Sequence, residues 1–148
     1  MQSFRTIGFA IIALGVLIIP FSIIHELGHS LVCYLDGNQF EIDIQFFTPS
    51  AMICLGNVSN PDVFRATGGG IAATIAGISG VLVAPKSLKI ALFSITIVHL
   101  VNLVVETLLY QSYMNDAIWH IIFGLIDVIV FVTITFRMIS YHTVTKGL

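Results

Sequence analysis

An apolar run from Thr6 to Leu35 is interrupted late in its length by His25-Glu26-Leu27-Gly28-His29. A stretch so long and so apolar reads as a membrane-spanning helix, because about 20 residues cross a ~30 Å hydrocarbon core. Thirty helical residues measure about 45 Å, so the span has to tilt, bend or protrude. Pro20 is the expected bend, since proline removes a backbone hydrogen bond and crowds the preceding turn. Ionisable side chains are costly in such a segment, at about 2.5–3.5 kcal/mol each near the bilayer centre. Two His and a Glu within five residues therefore require something that uses their lone pairs.

Their spacing says what. Residues four apart on a helix share one face, with Cβ atoms about 5–6 Å apart. Two imidazoles placed so can converge on one Zn²⁺ at bonds of about 2.0–2.1 Å. Glu26 leaves the same turn beside His25 and can reach a water activated there without ligating the metal. The H-E-x-x-H pattern thus supplies two ligands and a general base, the arrangement of zinc peptidases. Chance is a poor explanation: with five His and three Glu in 148 residues, shuffling produces about 0.003 such patterns per chain.

The rest of the composition agrees with a membrane setting. The chain is 57% hydrophobic and only 9% charged, with mean hydropathy +1.00, whereas soluble domains carry about 25% charged residues. The expected fold is an all-α polytopic membrane protein forming one domain over residues 1–148. About four transmembrane helices are expected, near 6–35, 67–84, 88–110 and 117–136, with a short β-hairpin over about 39–56 between the first two. The first span does not read as a cleaved signal peptide, being too long and lacking a small-residue cleavage site before the polar loop. A net charge of −2, with no basic patch, argues against nucleic acid as a partner. Cys33 and Cys54 lack any CxxC spacing and read as small buried residues rather than ligands or disulfide halves.

Along the chain, Asp36-Gly37-Asn38 stops the first helix with turn chemistry. Gln39 to Phe46 alternate polar and apolar without a fault, which is the signature of a half-buried strand. Thr48-Pro49-Ser50 makes a turn, and Ala51 to Leu55 form a second strand. The free edge of this hairpin either holds an extended substrate by strand addition or simply caps the helices. The second span opens with Gly68-Gly69-Gly70 and keeps small residues at Gly69, Ala73, Gly77 and Gly80, a pattern that lets helices approach closely in lipid. It is expected to pack on the HELGH helix. The third span places His99, Asn102 and Glu106 on one stripe, and the fourth does the same with Asp116, His120 and Asp127. Two such stripes imply a shared polar interior.

A hydrolytic zinc site needs a third protein ligand and an open position for water. Asp116, Asp127, Glu106, His99 and His120 are the candidates. If the four spans alternate in direction, the first helix ends on the side where the fourth begins. Asp116 then lies at the depth of His29, and Asp127 lies about 16 Å further along its helix. Depth favours Asp116, with Asp127 as the alternative.

A membrane-embedded HELGH, a hairpin after it, a Gly-rich second helix and a distant Asp resemble the site-2 protease family of intramembrane zinc metalloproteases. The likeness covers most of the chain, and HELGH is its specific part. It implies zinc on His25, His29 and Asp116, with Glu26 as the base. Asn102-Leu103 stands where that family carries the Asn of an Asn-x-x-Pro motif, which implies a substrate-gripping role for Asn102, although no Pro follows. The implied activity is peptide-bond hydrolysis in membrane-spanning protein substrates within the lipid bilayer. The reading from another class is a non-proteolytic subunit of a larger membrane complex, its metal or polar stripes being structural or proton-carrying. A multi-pass protein of the cell membrane is expected, with two opposed indications of orientation. Arg5, Lys86, Lys89, Arg137 and Lys146 share one side, so the positive-inside rule puts the metal nearer the outer face. The family resemblance implies a site toward the cytosol.

Overall fold

The computed structural model describes residues 2–43, 51–109 and 117–145. Helix α1 (Gln2–Leu35) runs unbroken through Pro20. Its 34 residues give a length of about 51 Å, more than a bilayer core. It ends where turn chemistry placed the stop. Gly37 takes φ 78°, Asn38 N–H donates to Cys33 O at 3.1 Å, and Gly37 N–H donates to Tyr34 O at 2.9 Å. This is a Schellman cap, in which a left-handed glycine lets the chain satisfy the last carbonyls.

Strands β1 (Phe40–Asp43) and β2 (Ala51–Cys54) form the expected hairpin, antiparallel with Ile42 opposite Met52. Expected strand residues 44–46 and the turn at 48–50 lie outside the described residues. Leu55 N–H donates to Gln39 O at 2.8 Å, which makes 39 and 55 a hydrogen-bonded pair. Alternation then turns the N–H and C=O of Met52 and Cys54 away from β1, toward the open edge of β2.

The cysteine expectation is corrected. Cys33 is fully buried, as read, but it is bonded to Cys54 across a Cα–Cα distance of 5.8 Å. The hairpin folds back along the last turns of α1 and brings together two residues whose separation of 21 carries no pairing signal. The following loop is tied down as well. The backbone N–H and then the hydroxyl of Ser59 donate to Asp36, each at 2.8 Å, holding its carboxyl below the usual carboxylate range. Asn60 caps helix α2 (Pro61–Leu82) by accepting from Val63 N–H, with proline at the first helical position and Asp62 in the first turn.

Helices α3 (Lys86–Leu108) and α4 (Ala117–Thr145) complete the chain. Among the described residues three helices are long and apolar enough to cross a membrane: α1 over Phe4–Leu35, α3 over Lys86–Leu108 and α4 over Ile121–Ser140. The expected second span is a helix too, rich in Gly, Ala, Ser and Thr, and it packs against both α1 and α3. Leu14, Leu17 and Phe21 of α1 pack with Leu88, Leu92 and Ile95 near the start of α3. His25 meets Glu106 near its end. Helices α1 and α3 therefore run parallel, and α2 returns between their ends.

Small residues set how close these helices come. A Cβ on Gly28 would lie 2.7 Å from Gly68 Cα and 2.9 Å from Thr67 O, and one on Gly69 would lie 2.7 Å from His99 O. Backbone therefore meets backbone where α1 crosses α2 and where α2 crosses α3. Gly28→Ala should destabilise the bundle by about 1–3 kcal/mol, seen as a lower thermal midpoint in detergent. Gly15→Ala, with nothing within 4 Å of its Cβ, should not lower it; equal midpoints for the two variants would refute the close crossing.

Candidate metal centre

The cluster is built by three helices. His25 and His29 stand one turn apart on α1, 5% and 8% exposed, and Glu26 beside them is 8% exposed. Helix α3 contributes His99, which is buried, and Glu106, which is mostly so. Helix α2 contributes no ligand; it supplies a wall and a carbonyl. Gly68 lies so close to His29 that any side chain there would run into the imidazole.

The carbonyl fixes a proton. His29 Nδ1 lies 2.6 Å from Phe64 O, and a carbonyl only accepts, so Nδ1 carries the hydrogen. In the neutral ring Nε2 is then a bare lone pair. It faces His25 Nε2 at 3.1 Å and Glu106 Oε2 at 3.4 Å. Glu106 Oε1 is 3.0 Å from His25 Nε2, while its Oε2 is buried with no hydrogen-bond partner among the described residues. With the hydrogen of His25 on Nδ1, lone pairs of two rings and a carboxylate converge on one small space and suit a cation; with it on Nε2, His25 would instead donate to Glu106 or His29.

The distances fit a metal ion. Four ligands at about 2.0–2.1 Å in a tetrahedron lie about 3.3–3.4 Å from one another. His25 Nε2 lies 3.0 Å from Glu106 Oε1 and 3.1 Å from His29 Nε2, near that edge, while His29 Nε2 lies 3.4 Å from the other carboxylate oxygen. Among the described residues, His25, His29 and Glu106 form a group able to hold a metal ion.

Of the residues read from the sequence, His25, Glu26 and His29 are brought together as expected. Asp116 and the side chain of His120 lie outside the described residues. Asp127 is half-buried on α4 and is not part of the gathered donor set. Asn102 is half-buried on α3, between His99 and Glu106. Glu106 was one of five candidates, passed over on an argument from depth that compared only the first and fourth spans. Alternating spans already make α1 and α3 parallel, which puts the end of α3 level with HELGH; comparing the first span with the third is the signal that finds Glu106.

Glu26 has a different environment from Glu106. The backbone N–H of Met52, on the open edge of β2, hydrogen-bonds its carboxylate. The edge that an extended chain would use therefore lies beside the carboxylate that would serve as base.

No family model, no curated protein and no solved structure matches this chain. If Glu106 is a ligand, Glu106→Ala should lower zinc affinity by at least about 10-fold in chelator competition while leaving the helical content intact. Unchanged affinity would remove Glu106 from the donor set.

Proposed function

We propose that this protein is an intramembrane zinc metalloprotease of the site-2 protease type, hydrolysing peptide bonds of membrane-spanning protein substrates. The observation that carries the reading is the convergence of His25, His29 and Glu106 inside an apolar bundle, with Glu26 adjacent and free of that donor set. Two imidazoles and a glutamate are a ligand set used by soluble zinc peptidases, and it leaves a fourth position open. A zinc ion held there would supply the Lewis acidity that polarises a carbonyl and acidifies a water.

The protein's own groups supply the rest. Glu26, one residue from a ligand, takes the proton of the attacking water and returns it to the leaving amine. Its hydrogen bond from Met52 N–H fixes the carboxylate against β2. A substrate helix hides its carbonyls in its own hydrogen bonds, so the segment to be cut must unwind. The outward C=O of Met52 and the N–H and C=O of Cys54 would offer that extended segment a strand to pair with. Asn102, between His99 and Glu106 on α3, would hold a substrate carbonyl in this reading.

The reading includes an orientation in the cell membrane. Arg5, Lys86, Lys89 and Arg137 lie at the end of the bundle opposite the metal cluster, while the cluster end carries Asp36, Glu41, Asp43 and Asp62 with Arg65. The positive-inside rule makes the basic end cytoplasmic. The Cys33–Cys54 bond lies at the other end, and disulfides persist on oxidising, non-cytosolic faces. Both observations support a site that opens away from the cytosol.

Two experiments test these statements. Glu26→Gln should keep zinc and lose cleavage of a transmembrane substrate by about 10²–10⁴-fold. Zinc bound by the unmodified protein without turnover of any substrate would favour the non-proteolytic subunit instead. For orientation, Glu41→Cys should react with a membrane-impermeant maleimide in intact cells and Arg5→Cys only after permeabilisation; the opposite pattern would reverse the topology.

A further inference from the structure

His99 belongs to neither the donor set nor the base, yet it is 7% exposed in the middle of a membrane-spanning helix. An imidazole so placed needs a partner. Its Nδ1 lies 3.2 Å from His25 Nδ1, and the two rings are 5.2 Å apart. Phe21 lies on its other side, with a centroid distance of 6.3 Å. Its backbone carbonyl is pressed against Gly69, so the position of α3 at this residue is set by the α2 crossing.

The tautomers follow from the proposed metal reading, on which this inference rests. If His25 gives its Nε2 lone pair to a metal ion, its one remaining hydrogen is on Nδ1. A hydrogen bond between the two Nδ1 atoms then requires His99 Nδ1 to accept, which puts the hydrogen of His99 on Nε2. We propose that His99 is a positioning residue: as a neutral acceptor it holds the His25 ring in the tautomer and orientation that present Nε2 to the metal.

The neutrality of the acceptor has a physical reason. Metal-bound histidines commonly donate to a carboxylate, a carbonyl or water. Here His29 donates to the Phe64 carbonyl and His25 to an imidazole, so neither ligand rests on an anion. A divalent ion then balances the carboxylates of Glu106 and Glu26. A third carboxylate at position 99 would leave a net negative charge buried within the bundle, where charge is expensive. An amide oxygen could replace the imidazole; a carboxylate or a hydrocarbon could not.

The test uses the full-length protein in detergent, with zinc alone as the probe in chelator competition and Co²⁺ as a spectroscopic substitute. His99→Phe should weaken zinc binding about 10–100-fold and alter the Co²⁺ absorption bands, with helical content unchanged. His99→Asn, whose side-chain oxygen can accept from His25 Nδ1, should restore affinity and bands close to those of the unmodified protein. His99→Asp should not. Wild-type affinity and bands in His99→Phe would overturn the proposal, and so would a His99→Asn variant that folds but binds as poorly as His99→Phe. An unmodified protein that takes up no zinc would overturn the metal reading itself, and this inference with it.

Discussion

The rest of the structure depends on how two imidazoles and a carboxylate are held together inside an apolar bundle. His25 Nε2, His29 Nε2 and the Glu106 carboxylate converge to within 3.0–3.4 Å. The Phe64 carbonyl takes the Nδ1 proton of His29. Electrostatic attraction is strong in a low-dielectric interior, so a cation at their centre would bind all three. Much of the architecture can be understood as holding that arrangement shut. Gly28 and Gly68 bring α1 and α2 into backbone contact beside His29, and Gly69 brings α3 up to α2 at His99.

The hairpin is the second part of the design. Its ladder alternation turns the Met52 N–H toward Glu26, while the Cys33–Cys54 bond ties β2 to α1 one turn beyond His29. Base and strand edge are therefore fixed to the same helix that carries two of the metal-binding side chains.

The long apolar period of α1, the HELGH spacing and the strict alternation of Gln39–Asp43 were legible in the sequence because each is a local pattern with one physical cause. The second helix was legible as a helix, and its small residues permit the close crossings. Glu106 lies at the right depth once the spans alternate, since α1 and α3 then run in the same direction, but which helix packs beside His25 is decided by tertiary structure. The disulfide was hidden for a like reason, since the return of the hairpin onto α1, and not the spacing of the cysteines, decides their pairing. Of the expected third ligands, Asp116 lies outside the described residues and Asp127 stands apart from the donor set.

The most direct test of the account is X-ray absorption at the zinc edge on the purified, folded protein. The account predicts a first shell of nitrogen and oxygen at about 2.0–2.1 Å, with the outer-shell scattering of two imidazoles. A sulfur shell near 2.3 Å, or a folded protein that takes up no zinc, would contradict it.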